Sequence, residues 1–254
     1  MPGSIKTAVV LGTFDGVHSA HAKLIGETRA QACGAKVVAV TFDRIPGLVL
    51  GLDGKSQQIV SCEDKVVLLN RAGADEVSIL SFDKSLSSTE PEDFFRRIIL
   101  EDLKAGTLAV GYDFRFGNRG RGDVGLLSRL CPEAEVRLLV MGELLTGGVR
   151  ISSSEIRRRI SSGDPLGASD MLGRTHAFRV RAENGRIVPE SGYVLPPEGF
   201  RFKAALTDAL PLDAGISDFA GEAELRANDS LVWFEGQVPP CEDGIFYLAY
   251  GPGK

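Results

Sequence analysis

A chain of 254 residues, 43% hydrophobic and 25% charged, is long enough for one large or two modest domains, and its globular composition excludes fibrous and intrinsically disordered readings. Its 30 glycines follow no G-X-Y period, so the excess marks turns or backbone held close to a ligand rather than collagen. The net charge of -5, with 8 basic against 12 acidic residues from Arg174 onward, lacks the Lys and Arg surplus that binding to a nucleic-acid backbone requires.

In chain order, Met1 to Lys6 lacks the apolar core of a secretion signal. No later stretch approaches the ~18–20 apolar residues of a membrane span. Cys33, Cys62, Cys131 and Cys241 are scattered without a C-x-x-C pair, as in reduced cytoplasmic proteins, and cytoplasmic location is expected. Short runs of Val, Ile and Leu then alternate with segments of helical period, the pattern of βαβ units and a parallel sheet. Strands are expected at Thr7–Gly12, Lys36–Phe42, Glu76–Leu80, Thr107–Gly111 and Glu135–Val140, with helices at about Ala20–Ala32, Asp64–Ala72, Pro91–Lys104 and Val124–Leu130. Ser61 ahead of Asp64 and Thr89 ahead of Glu92 read as N-caps, each placing an oxygen against the orphan N–H groups of a first turn. Ser153 or Ser154 is expected to cap a basic helix running to Ile160.

From Arg174 the pattern changes to strand-like runs, Phe178–Ala182, Arg201–Thr207, Glu222–Leu225, Leu231–Phe234 and Phe246–Tyr250, separated by Pro and Gly. The expected organisation is an α/β domain over residues 1–173 built on a five-stranded parallel sheet, followed over 174–254 by a small, barrel-like antiparallel β domain.

Two of the three histidines, His18 and His21, lie in one segment, Leu11-Gly-Thr-Phe-Asp-Gly-Val-His-Ser-Ala-His-Ala-Lys-Leu-Ile25, which leaves the first strand and opens the first helix. Their spacing puts both side chains on one helical face, where the first-turn N–H groups and the helix dipole favour an anion. Two imidazoles there make a place where phosphate charge is stabilised as it develops in a transition state. Gly12 and Gly16 let the backbone bend close to such a ligand. The plainer alternative is that the histidines cap the helix and fill its surface. Neither an H-E-x-x-H spacing nor a Cys/His cluster accompanies them, so no metal ligands are assigned.

A second loop, Gly111-Tyr-Asp-Phe-Arg-Phe-Gly-Asn-Arg-Gly-Arg-Gly-Asp123, follows the fourth strand. Loops at the carboxyl ends of strands share a crevice in an open α/β sheet. Phe114 and Phe116 offer flat apolar faces and Asp113 an acceptor for ring nitrogens, while Arg119 and Arg121 read as solvated charges. In Ile151-Ser-Ser-Ser-Glu-Ile-Arg157, the hydroxyls of Ser153 and Ser154, with Arg157 one turn later, suit a second phosphate clamp. Arg158 and Arg159 read as solvent-facing.

The first segment resembles the G-x-F-D-G-x-H-x-G-H signature of the adenylyltransferases that make FAD, among the nucleotidyltransferases that carry H-x-G-H, with Ala20 in place of the signature glycine. Val40-Thr-Phe-Asp-Arg-Ile-Pro46 resembles the family's V-T-F-D/E-P-H-P, with Arg44 and Ile45 replacing proline and histidine. The loop at 111–117 resembles G-x-D/N-F-x-F-G, and 151–157 resembles I-S-S-T-x-I-R, with Ser154 for threonine. The resemblance covers nearly all of Thr7 to Gly173. It implies a Rossmann-like nucleotidyltransferase domain moving the adenylyl group of ATP onto FMN, with Mg²⁺ as charge neutraliser. It implies His18, His21 and Arg157 as catalytic residues, Gly12, Thr13, Phe14, Asp15, Ser153 and Ser154 at the nucleotide, and Asp113, Phe114, Phe116 and Phe42 at the flavin.

Gly173-Arg-Thr-His176 and Leu195-Pro-Pro-Glu-Gly-Phe200 resemble the flanks of the riboflavin kinase barrel that follows in bacterial bifunctional members. That barrel's G-x-P-T-A-N loop is missing, since no proline in the chain precedes a threonine. Glu222 and Glu235 read as strand or turn carboxylates, and the resemblance therefore implies a degenerate barrel without kinase activity. Two alternatives stay open: a transferase of the same class acting on another small phosphate ester, and a non-catalytic flavin-nucleotide binder, suggested by Ala20, Ile45 and the eroded barrel. Neither nucleic acid nor membrane is an expected partner, and nothing in the sequence signals the oligomeric state.

Overall fold

The computed structural model describes residues 6–49, 57–183, 186–207, 210, 221–226, 231–236 and 244–250. Residues 1–5 of the leading segment and Cys241 lie outside the described residues. The chain forms two compact units, Met1–Ser56 with Lys65–Leu144, and Gln57–Asp64 with Leu145–Lys254.

In the first unit, β1 (Thr7–Leu11), β2 (Val37–Phe42), β3 (Glu76–Leu80), β4 (Ala105–Gly111) and β5 (Arg137–Met141) build one parallel sheet in the order β3-β2-β1-β4-β5. Each strand ends within two residues of its expected limits. The central strand carries Ala8, Val9 and Val10 at 0% exposure, and all six residues of β2 are buried. Both faces of a parallel sheet are covered, which is why these strands read as apolar runs rather than alternations. Val9, Leu11, Val40, Leu108 and Val110 from the sheet meet Phe94, Ile99, Leu127 and Cys131 in one core.

The longer helices are α1 (Ser19–Gln31), α2 (Cys62–Arg71) and α3 (Val124–Glu133), together with a helix over 91–102. Ser61 caps α2 as expected, its hydroxyl accepting from the Asp64 N–H at 3.0 Å. Thr89 does not cap the next helix. Its hydroxyl donates to the Ser85 carbonyl at 2.9 Å, and the N-cap position falls on Glu90, with Pro91 opening the first turn. That helix is α-wound only over Pro91–Phe94 and π-wound over Phe95–Asp102, with Leu103 N–H reaching back five residues to the Ile98 carbonyl. The consecutive Phe94 and Phe95 are both buried.

In the second unit, α4 (Ser153–Ser161) and α5 (Pro165–Leu172) precede an antiparallel sheet. Its strands are β6 (Ala177–Glu183), β7 (Arg186–Pro189), β8 (Arg201–Thr207), β9 (Gly221–Arg226), β10 (Leu231–Gly236) and β11 (Gly244–Tyr250), in the order β7-β6-β11-β8-β9-β10. β7 was not expected. The edge strands β7 and β10 approach each other, so the sheet curls toward a barrel. Segment 57–64 joins this unit: Gln58 N–H donates to the Gly192 carbonyl at 2.7 Å, and Tyr247 donates to the buried Asp64 at 2.5 Å. Ser152, rather than Ser153 or Ser154, caps α4, accepting from Glu155 N–H at 3.2 Å. Among the described residues, no helix is long and apolar enough to cross a membrane.

The third histidine, His176, is buried in the second unit, and burial, followed by the neighbouring Arg174 charge, pushes its pKa down to about 3. The folded protein thus keeps this imidazole neutral where an unfolded chain protonates it below about 6.5. Its contribution to stability is complete above the unfolded value and is lost as pH falls from there toward the folded value. Urea melts between pH 7 and pH 4 are expected to show a smaller loss of midpoint in His176→Phe than in the wild type. Equal losses would mean that His176 carries none of the acid sensitivity.

Candidate functional site

In the order β3-β2-β1-β4-β5, the chain winds outward from β1 in one direction and then returns to the other side at β4. The segments leaving the carboxyl ends of β1 and β4 therefore diverge, and ligands of open α/β sheets bind in the crevice between such segments.

The first loop is anchored on its β2 side. Gly12 N–H extends the sheet ladder to the Val40 carbonyl at 3.1 Å, and the Thr41 hydroxyl donates to the Thr13 carbonyl at 2.9 Å. The chain then turns through positive φ at Phe14 (51°), Gly16 (82°) and Val17 (40°). A bulky and a β-branched residue there cost about 1–3 kcal/mol each, strain that is typical of functional sites. Phe14 and Asp15 are buried. A Cβ on Gly12 would lie 3.0 Å from the Phe14 ring, so glycine at 12 makes room for that ring.

His18 is the N-cap of α1, its Nδ1 accepting from His21 N–H at 3.4 Å. The capping alternative is thus what the structure shows, and an Nδ1 that accepts leaves the proton on Nε2. The His18 and His21 rings stack with centroids 3.6 Å apart at 14°, and the Phe14 ring meets His21 edge-on at 5.0 Å. Burial first, then the His18 and Lys65 charges, hold the His21 pKa well below the usual imidazole value. His21 is thus neutral at pH 7 and offers a directed N–H rather than a cation. Its Nδ1 is buried with no hydrogen-bond partner among the described residues.

Lys65 escaped the sequence reading. It is 4% exposed, and its Nζ donates to the Phe42 carbonyl at 3.1 Å and the Thr41 hydroxyl at 3.4 Å. The available signal was helical period: Lys65 stands three and four residues before the buried Leu68 and Leu69, on the apolar face of α2. Phe42 is itself a buried strand end, edge-on to Phe82 at 5.4 Å.

In the second loop, Arg115–Phe116 pairs antiparallel with Gly122–Asp123, and Asp123 caps α3 by accepting from Leu126 N–H at 2.9 Å. A Cβ on Gly122 would lie 2.7 Å from the Phe116 ring, and one on Gly117, at φ +68°, would strike the Pro91 backbone at 2.8 Å. Phe116 is only 6% exposed. It lies against Phe94 at 5.8 Å and parallel to Phe114 at 5.7 Å and 11°. This corrects the expectation of two open aromatic faces: Phe116 belongs to the core and underlies the half-buried Phe114. Asp113 is exposed. Arg121 is exposed, as expected, and its guanidinium meets both oxygens of the equally exposed Glu90 at 2.5 Å, with Asn118 adding a bond to Glu90 at 3.2 Å.

Ser153, Ser154 and Arg157 lie on the second unit, in the first turns of α4. Arg157 Nε donates to the Gln57 carbonyl at 2.8 Å. Arg159, expected in solvent, is instead held by Glu155 at 3.0 Å and Asp164 at 2.8 Å. Hydrogen bonding from Arg158, opposed by desolvation and reinforced by Arg159, pulls the Glu155 carboxyl down to about 2. Among the described residues, no group of three or more His, Cys, Asp or Glu side chains is gathered as a metal site.

A family model described as FAD synthetase matches residues 2–155. Bifunctional riboflavin kinase/FMN adenylyltransferases from Buchnera aphidicola subsp. Acyrthosiphon pisum, Bacillus subtilis and Escherichia coli K12 are 27%, 26% and 28% identical over 72%, 76% and 71% of this chain. The chain spans 59%, 66% and 56% of the lengths of those relatives. The crystal structure of a macrolide-efflux protein from Streptococcus pneumoniae matches with a TM-score of 0.80 at 18% identity, covering 98% of this chain and 86% of that one. That likeness is one of fold.

The two aromatic residues of the second loop are expected to separate by stability. Phe116→Ala should cost about 3–5 kcal/mol in denaturant unfolding, the range for a fully buried ring, and Phe114→Ala clearly less. Equal costs would place both rings in the same environment.

Proposed function

Because the chain belongs to the FAD synthetase family, we propose that it transfers the adenylyl group of ATP to the phosphate of FMN, forming FAD and pyrophosphate. The observation that carries the reading is the stacked His18–His21 pair at the N-terminus of α1, at the point where the segments after β1 and β4 diverge. An FMN phosphate oxygen attacks the α-phosphorus of ATP, the bond to the β-phosphate oxygen breaks, and pyrophosphate leaves. The attacking phosphate is already ionised at neutral pH, so no general base is required, and catalysis rests on in-line positioning and charge stabilisation.

In this reading His18 and His21 donate N–H bonds to the phosphates where charge accumulates, and the backbone of Gly12, Thr13, Phe14 and Asp15 wraps the nucleotide. Ser153, Ser154 and Arg157 take the triphosphate tail. Asp113 and Phe114 receive the flavin ring, Phe116 supports Phe114 from beneath, and Phe42 packs at the flavin end of β2. Mg²⁺ bound with ATP would neutralise phosphate charge, and no side chain of this chain is assigned to hold it. Residues 1–173 serve as the transferase domain. Residues 174–254 serve as a riboflavin-kinase-like barrel without kinase activity, a reading supported by the absence of any Pro-Thr pair. The expected setting is cytoplasmic, with neither nucleic acid nor membrane as partner.

Purified chain with ATP and Mg²⁺ is expected to release pyrophosphate with FMN, and much less with nicotinamide mononucleotide, phosphopantetheine or glycerol phosphate. Turnover confined to another acceptor would replace the substrate assignment, and tight flavin binding without pyrophosphate release would make the protein a binder. Riboflavin phosphorylation would overturn the reading of the second domain. His21→Ala should lose about 10²–10³-fold in turnover, the scale of one removed transition-state donor, with an unchanged circular dichroism spectrum. Turnover at the wild-type rate would remove His21 from the mechanism.

A further inference from the structure

We propose that Lys65 is a positioning residue of the adenylyl-transfer centre, acting through Thr41 on the peptide that opens the first loop; the proposal rests on the transferase reading above. A buried ammonium is expensive unless hydrogen bonds compensate its lost hydration. Here the compensation runs to named oxygens, the Phe42 carbonyl at 3.1 Å and the Thr41 hydroxyl at 3.4 Å.

The direction of the relay follows from donor and acceptor chemistry. Lysine can only donate and a carbonyl can only accept, so the Thr41 hydroxyl accepts from Lys65 and spends its one proton on the Thr13 carbonyl at 2.9 Å. The Thr13 carbonyl is thereby held toward β2. Because the peptide is trans and planar, the N–H of Phe14 is turned to the opposite side, away from β2. This peptide leads directly into the left-handed positions at Phe14, Gly16 and Val17 and on to the His18 cap. A tilt at Thr13 therefore shifts the whole phosphate-facing loop. The same ammonium also acts electrostatically on His21, helping to keep that imidazole uncharged and a donor.

The test compares Lys65→Met, Thr41→Val and the double variant of the full chain, each checked for cooperative thermal unfolding. Pyrophosphate release from FMN and ATP is expected to fall about tenfold or more in kcat for Lys65→Met, with the FMN KM moving less than about twofold, as for a reacting group displaced within a loop that still binds. Thr41→Val should lower kcat in the same sense. The double variant should be no slower than Lys65→Met alone, because both changes break one chain of bonds. Unchanged kcat in Lys65→Met, or losses that multiply in the double variant, would overturn the proposal. If Lys65→Met does not fold, Thr41→Val decides alone, and full kcat there overturns it. If the wild type itself fails to turn over FMN and ATP, the transferase reading fails, and calorimetric binding of inorganic pyrophosphate with Mg²⁺ decides the positioning role. About tenfold weaker binding in Lys65→Met supports that role, and unchanged affinity overturns it.

Discussion

The structure of the first unit depends on β1 being paired on both sides. Its hydrogen-bonding edges are taken by β2 and β4, both parallel to it, and its middle residues are excluded from water on both faces. Parallel neighbours demand long crossovers of one hand. The route from β1 through β2 to β3 and the later return at β4 therefore leave on opposite sides of the sheet. The divergence of the two loops is a consequence of that routing. Once β1 is central, α1 must begin beside the gap, and the first-turn N–H groups of α1 follow.

The chemistry placed in that gap is directional rather than simply positive. Neither histidine needs to carry charge: His18 spends its Nδ1 lone pair on the helix cap, and His21 is kept neutral above all by burial, with the Lys65 charge acting in the same direction. Lys65, whose ammonium acts on His21, is itself buried. Such an arrangement suits phosphate that arrives with its own counterion, and it is compatible with a chain of net charge -5. In the proposed transfer, stacked imidazoles with Phe14 packed edge-on to His21 would need no reorganisation when charge moves, which is the physical source of transition-state stabilisation at oriented donors.

Legibility in the sequence followed the strength of the burial signal. The parallel sheet was readable because β2 is a run of six buried residues between turn signals, and the histidine pair was readable because helical spacing is local. Residues whose environment is set by tertiary contact were not. Phe114 and Phe116 alternate in a loop, and nothing local says that Phe116 enters the core beside Phe94. Nothing local to Lys65 or Arg159 announces the Phe42 carbonyl that the one meets or the Asp164 carboxylate that holds the other. Ser152 displaced Ser153 and Ser154 as the cap of α4, because three serines in a row leave the first helical residue undefined. The recruitment of 57–64 to the second unit depends on backbone pairing with Gly192 and Val194, which no side-chain pattern announces.

The central claim is that the crevice beyond β1 and β4 serves transfer at the α-phosphorus of ATP. The most direct measurement follows a phosphorus label from ATP during incubation of the full chain with FMN and Mg²⁺. With the label at the α position, the account predicts its appearance in FAD; with the label at the γ position, it predicts label in pyrophosphate and none in any flavin. Label passing from the γ position into a flavin, or bound FMN with no labelled FAD, would contradict the account.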